Sequence, residues 1–257
     1  MTGSGREVSS DAPFALSVVT GGSRGLGFAV AERLGSEGRP VVIIARSQGT
    51  LDEAATRLAT QGIEVYTRVV DMADHGAVKD AINDIEGSMG PIGTLVNNAG
   101  VFQTGDVTHV TAEQWVDLSA VNVTAVLVAM QAAATHMCVR GYGRIVNVSS
   151  TSGLTGVPGA TAYSATKAAV VGLTRAAAVE LARSGVTVNA VAPGMCRTDM
   201  TDDYRLDQRS EDWALRRSPM RRWGQPFEVA EAVAYFASHR AGFTTGQVLA
   251  VDGGWTA

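Results

Sequence analysis

The 257-residue chain is predicted to fold as one α/β domain, a doubly wound Rossmann-type structure with a seven-stranded parallel sheet and helices on both faces. Three observations lead there. Short, nearly continuous apolar runs recur along the chain, as parallel strands covered on both faces require. Helical patterns separate these runs, giving a βαβα rhythm. Glycine-rich turns directly follow two of the runs, where such a sheet opens its ligand crevice.

Taken in order, the first strand is expected over 15–20 and runs into the glycine turn that opens a helix over 25–37. The Val-Val-Ile-Ile run places a strand at 40–45, followed by a helix at 50–61. Strands at 64–70 and 94–97 flank a helix at 74–88. A long Ala- and Val-rich helix at 111–138 leads to a strand at 144–148. A second long helix, 160–183, precedes the strand at 186–191, and a helix at 226–238 precedes the last strand, 247–251. The segment 198–226 is charged, carries Trp213 and Met220, and reaches no obvious strand. Beside the carboxyl ends of the strands it would serve as a substrate lid, or it is a plain surface insertion. Residues 1–13 are polar and rich in Gly and Ser, a loose extension before a single catalytic domain over 14–257.

Composition narrows the function classes. Apolar residues are 46% of the chain and charged residues 18%, with mean hydropathy +0.09, the profile of a well-buried protein. A net charge of −4 gives no nucleic-acid footprint. No apolar run long enough to span a bilayer is expected, and no signal-peptide core is present. Cys138 and Cys196 are read as free thiols in a reducing cytoplasm. His75, His109, His136 and His239 show no ligand spacing, so no metal site is expected.

The first glycine turn reads Thr20-Gly21-Gly22-Ser23-Arg24-Gly25-Leu26-Gly27. Its glycines let the backbone turn tightly and approach a pyrophosphate, whose charge is favoured at a helix N-terminus. The spacing, Gly21-x-x-x-Gly25-x-Gly27, is not the common dinucleotide spacing. A second turn carries Asn97-Asn98-Ala99-Gly100 after the fourth strand. At the end of the second strand stand Ala45, Arg46 and Ser47, where an NAD site would carry Asp or Glu. A carboxylate there would repel a 2′-phosphate, whereas Arg46, with Arg24 nearby, would grip it. NADP(H) is therefore the expected cofactor.

Tyr163 and Lys167 lie four residues apart in an Ala-rich helical stretch, on one face and one turn apart. Lys167 is one of only two lysines beside nineteen arginines, and a compact ammonium is not replaceable by Arg. An ammonium beside a phenol favours phenolate, the makings of a general acid and base for a carbonyl or alcohol. Taken alone, the pair is equally a buried Tyr next to a solvated Lys.

Together these residues resemble the short-chain dehydrogenase/reductase family, over nearly the whole chain from Phe14 to Trp255. The resemblance rests on the glycine turn, Asp71 after the third strand, Asn97-Asn98-Ala99-Gly100, Asn122, Ser150, Tyr163-x-x-x-Lys167, and Pro193-Gly194 followed by Thr198. It implies four catalytic residues. Ser150 would hydrogen-bond the substrate oxygen, and Tyr163 would give it a proton. Lys167 would hold the nicotinamide ribose and, with the positive charge of the oxidised ring, lower the Tyr163 pKa. Asn122 would kink its helix and anchor a proton-feeding water. The resemblance also implies that Asp71 and Met72 meet adenine, that Asn98, Ala99 and Gly100 line the adenosine side, and that Pro193, Gly194 and Thr198 complete the cofactor site. Ser149 is expected to be structural.

Within the family the chain looks most like 3-oxoacyl-carrier-protein reductases and related ketoreductases, in Pro193–Met200 and in Arg222-Trp223-Gly224-Gln225-Pro226. The arginine pair that docks the carrier in those enzymes is displaced: Gly141 and Ser184 stand there, with Arg140 and Arg183 one residue earlier. The expected activity is NADPH-dependent reduction of a ketone, for example a 3-oxoacyl or polyketide thioester or an aromatic ketone. The alternatives are an NADP-dependent alcohol or diol dehydrogenase and a non-catalytic NADP sensor. Related enoyl reductases space Tyr and Lys more widely, which argues against enoyl reduction. Expected pocket residues are Ser152, Leu154, Val157 and Met195, with Met200, Tyr204, Trp213 and Met220 from the lid. Arg216, Arg217, Arg221 and Arg222 read as a solvated basic face, or as a cluster meeting a phosphopantetheine or acidic substrate. Relatives suggest a homotetramer that pairs the two long helices and the last strand.

Overall fold

A computed structural model describes residues 16–202 and 206–257. The expected extension 1–13 and the pocket candidate Tyr204 lie outside the described residues. The strands are β1 (Leu16–Thr20), β2 (Val41–Ala45), β3 (Val65–Val69), β4 (Ile92–Asn97), β5 (Gly143–Val148), β6 (Val186–Pro193) and β7 (Val248–Val251). They form one sheet in the order β3-β2-β1-β4-β5-β6-β7, and every neighbouring pair is parallel. The order reverses between β1 and β4, so the two glycine turns that follow these strands share one crevice.

Alternation along the strands divides the core between two faces. Val19, Ile43, Val96, Val146 and Val191 point to one side, packed by α1 (Gly25–Gly35), α2 (Gln48–Ala59) and α8 (Pro226–Ala237). Val18, Val42, Leu95, Ile145 and Val188 point to the other, packed by α3 (His75–Ser88), α5 (Ala125–Arg140) and α6 (Thr161–Leu181). The edge strand β3 departs from the expected double coverage, with Tyr66 and Val69 exposed.

The helix expected over 111–138 is three pieces. α4 (Ala112–Ser119) opens on a reciprocal capping box between Thr111 and Gln114. A π-helical turn, Ala120–Thr124, follows and contains Asn122, and α5 continues from it. Contrary to the sequence expectation, the whole helical stretch Ala112–Arg140 is long and apolar enough to cross a bilayer by length and composition. Ala125, Ala129 and Ala133 of that stretch are completely buried in the core, while Val116, Leu127 and Val139 are exposed.

The segment 198–226 holds a short 3-10 turn (Asp199–Thr201) and α7 (Gln208–Arg217). Its two ends are tied where Arg197 N donates to Gly224 O at 3.0 Å and Gly224 N to Met195 O at 2.9 Å.

Candidate active site

A cleft of about 700 Å³ runs over the carboxyl ends of the strands, from Arg46 beyond β2 to Trp255 beyond β7. At its centre the two glycine turns are laced together. Asn98 Nδ2 donates to Thr20 O at 2.9 Å and to Gly21 O at 3.2 Å, and Thr20 Oγ1 accepts from the backbone of both Asn98 and Ala99 at 3.0 Å. The Asn98 side chain is thus a brace between the turns. Gly21 and Gly25 adopt φ of +66° and +56°, and a Cβ on Gly27 would stand 2.1 Å from Gly21 O. Only glycine is compatible with that approach.

The start of α1 has the character of an anion site. Ser47, Asp74, Thr111 and Asp207 cap α2, α3, α4 and α7 with their side chains. α1 has no side-chain cap at Arg24 and no acidic residue in its first turn. Its first amides therefore face the cleft with the positive end of the helix dipole behind them, as a pyrophosphate needs. Ser23, Leu26 and Met72 line the same half of the cleft. Arg46 is exposed at the cleft edge beside Ser47, which caps α2. Arg24 is turned across the mouth, with Nη1 3.4 Å from Asp199 Oδ2, so in this arrangement it joins the glycine turn to the segment 198–226. Both partners are largely exposed, and a pair of that kind exchanges readily. Asp71 is exposed on the cleft and accepts from Ala73 N at 2.9 Å.

The four expected catalytic residues converge. Ser150 follows β5, and its Oγ accepts from Ser152 N at 3.1 Å. Its side chain is placed to lower the Tyr163 pKa by hydrogen bonding. Lys167 is buried; its Nζ donates to Val148 O at 2.9 Å and lies 5.7 Å from the centre of the Tyr163 ring. Asn122 Oδ1 accepts from Val101 N, and its Nδ2 donates to Val101 O, both at 2.9 Å. That double bond to the loop after β4 is made from the π-helical turn, which projects Asn122 out of the regular helical path. Gly100 sits between the two side chains, since a Cβ there would lie 3.3 Å from both Asn122 Oδ1 and Lys167 Nζ. Ser149 is structural, as expected: its Oγ donates to Lys167 O at 2.9 Å.

Without the oxidised ring beside them, burial dominates both groups of the pair. Burial pushes the Tyr163 phenol up from 10.0 to about 12, against the lowering effect of the Ser150 hydrogen bond. Burial also brings the Lys167 ammonium down from 10.5 to about 8. In the protein alone desolvation therefore disfavours charge on both groups, and the phenol is held protonated.

Pro193, Gly194 and Thr198 line the cleft, as do the pocket candidates Ser152, Val157, Met195, Met200 and Trp213. Leu154 and Met220 do not. Leu154 ends the 3-10 turn after β5 and is exposed, and Met220 is drawn to the C-terminal tail, its N donating to Gly253 O at 3.1 Å. In the basic cluster Arg222 is paired with Glu228 at 2.6 and 2.8 Å and Arg217 lies over the Trp213 ring; Arg140, the residue next to the carrier-docking position, is paired with Glu86. Sequence reasoning missed two aromatic wall residues. Phe102 meets the Tyr163 ring edge-on at 4.9 Å, and its place two residues beyond Asn97-Asn98-Ala99-Gly100 was a usable signal. Trp255 is brought in from the chain end, for which no local pattern existed.

A doubly wound sheet with a Ser–Tyr–Lys–Asn constellation at its switch point defines an oxidoreductase of one family, and the chain belongs to the short-chain dehydrogenase/reductases. The family model described as enoyl-(acyl carrier protein) reductase matches residues 21–256. Among characterised proteins, gluconate 5-dehydrogenase of Gluconobacter oxydans is 40% identical over 242 residues, covering 94% of each chain. The 3-oxoacyl-[acyl-carrier-protein] reductase of Staphylococcus aureus is 37% identical, covering 92% of this chain and 96% of its own. A gluconate 5-dehydrogenase of Burkholderia cenocepacia, solved in complex with NADP and tartrate, superposes with a TM-score of 0.90 at 35% identity, covering 94% of this chain and 95% of that one.

Proposed function

We propose that this protein is an NADPH-dependent ketoreductase that converts a ketone to a secondary alcohol. The observation that carries the reading is the convergence of Ser150, Tyr163 and Lys167 on one cleft that also holds the uncapped start of α1. The residues present fit NADP(H). The first amides of α1 would take the pyrophosphate, Arg46 the 2′-phosphate, Asp71 and Met72 the adenine, and Lys167 the nicotinamide ribose. A bound nicotinamide nucleotide supplies or accepts the hydride of the reaction. The chain itself orients the carbonyl and handles the proton. Ser150 and Tyr163 hydrogen-bond the substrate oxygen; Tyr163 gives it a proton as negative charge develops and takes the proton back in the reverse direction. Lys167, fixed by Val148 O, stands ready with its remaining donors, and Asn122 holds the 100–101 loop beside it.

The four-residue spacing of Tyr163 and Lys167 supports carbonyl over enoyl reduction, whatever the family model's name. Run in reverse, the same site is an alcohol dehydrogenase, a direction supported by the gluconate 5-dehydrogenase relative. NADPH consumption with a panel of ketones and 3-oxoacyl thioesters tests the reading, and silence across the panel would favour a nucleotide sensor. The pH profile carries a sign. With Tyr163 near 12 the phenol stays protonated throughout the neutral range, so reduction needs no titration of it. Because Lys167 titrates near 8, kcat/KM for reduction should be level below pH 7 and fall as pH rises through about 8. Alcohol oxidation, which draws on phenolate, should rise with pH. A reduction rate that increased between pH 7 and 9 would contradict these assignments.

Two unpaired thiols, Cys138 and Cys196, support a reducing, cytoplasmic setting. A homotetramer is supported by the exposed apolar side chains of Leu127 and Val139 on α5, Val179 on α6 and Leu249 on β7. Light scattering should find no persistent monomer at micromolar concentration; a stable monomer would refute the assembly.

A further inference from the structure

We propose that Trp213 and Trp255 form an aromatic clamp that makes this enzyme selective for ketones carrying a planar ring, and that both are specificity-determining residues. The inference rests on the ketoreductase reading and adds the substrate class. The two indoles come from distant parts of the chain, the lid helix α7 and the segment after β7, yet both line the cleft. Their ring centroids are 5.4 Å apart at an interplanar angle of 78°. The Arg217 guanidinium, one turn beyond Trp213, lies 5.3 Å from one ring centroid and 5.6 Å from the other. A single cation shared by two indole faces holds the pair in register.

The tail is built to present Trp255. The Asp252 carboxylate accepts from Gly254 N at 2.9 Å, Thr256 N at 3.0 Å and Thr256 Oγ1 at 2.7 Å, closing the last residues into a knot. Gly253 and Gly254, at φ of +65° and +89°, lie so close to Ser218 and Pro219 that a Cβ on either would press on them. Gly253 O accepts from Met220 N and from Ser218 Oγ, which couples the knot to the end of the lid. Trp255 Nε1 is enclosed and has no acceptor among the described residues, so packing and the shared cation hold the indole.

Topology places this wall on the substrate side. The dinucleotide half of the cleft lies over β1, β2 and β3, Ser150 follows β5, and Trp255 follows β7 at the far edge of the sheet. The same cleft is lined by Val157, Met195 and Met200, with Ser152, Asp199 and Thr201 among its polar members. A polyhydroxylated acid would need a ring of hydrogen-bond partners, whereas the indole pair offers hydrocarbon surface and a guanidinium already shared by its two rings. A planar ketone is the chemistry that recognises it.

The test compares 2-tetralone, the N-acetylcysteamine thioester of acetoacetate and 5-keto-D-gluconate as substrates with NADPH, in the wild type and in Trp255→Ala, Trp255→Phe and Trp213→Ala. The wild type should favour 2-tetralone over 5-keto-D-gluconate by about 100-fold in kcat/KM. Trp255→Ala and Trp213→Ala should each lower the 2-tetralone to thioester ratio about 10-fold, mostly through KM, and Trp255→Phe should restore most of it. Titration calorimetry with 2-tetralone in a Tyr163→Phe background with NADPH reads the same loss as a rise in Kd without turnover, and circular dichroism with the Phe variant separates it from misfolding. A wild type that reduces 5-keto-D-gluconate as well as 2-tetralone, or variants that lose all substrates equally, would overturn the clamp and leave the ketoreductase reading standing. If the wild type reduces none of the three, that reading falls, and the clamp with it.

Discussion

Replacing Tyr163 by phenylalanine should lower kcat for ketone reduction by roughly 10²- to 10⁴-fold, the range a positioned general acid contributes. The substitution removes one oxygen and keeps the ring that packs edge-on against Phe102, so the fold and the cleft wall persist. NADPH affinity, measured by fluorescence titration, should change little, because the expected ribose contact belongs to Lys167. The effect should appear in kcat and kcat/KM together, the mark of an interaction made in the transition state. Turnover surviving at more than a tenth of the wild-type rate would remove Tyr163 as the proton donor and leave Ser150, the hydroxyl beside it in the cleft, as the candidate.

Arg46→Asp should weaken NADPH binding by about 10- to 100-fold and leave NADH binding nearly unchanged or improved. Arg46 is exposed, so its own removal costs the fold little. The asparagine variant separates loss of the guanidinium from repulsion by the new carboxylate. Equal losses for the two nucleotides would show that this edge of the cleft does not read the 2′-phosphate. Arg24 is the residue to examine in that event, because Asp199 already competes for its guanidinium.

Most of the sheet was legible in the chain because each parallel strand needs apolar residues on both faces, and the runs beginning near Val41 and Val186 state this without help from distant residues. The break at Asn122 was signalled by that residue, but its π-helical form depends on Val101, twenty-one positions earlier, whose N and O its amide must reach at once. Leu154 and Met220 were misread for a related cause. Apolar character marks a side chain for burial or for a pocket, and only the folded chain shows that Leu154 turns outward and that Gly253 draws Met220 away.

By itself the amino-acid order determined the layer architecture, the two glycine turns and the helical Tyr163–Lys167 pair, since each depends on neighbours within one turn or one strand. Tertiary structure alone decided the directions in which that pair's pKa values move and the aromatic wall. Burial, which raises Tyr163 and lowers Lys167, depends on everything packed around the cleft floor, and Trp213 meets Trp255 only because β7 and the lid end side by side. Desolvation and long-range contact are properties of the assembled surface, and no local pattern encodes them.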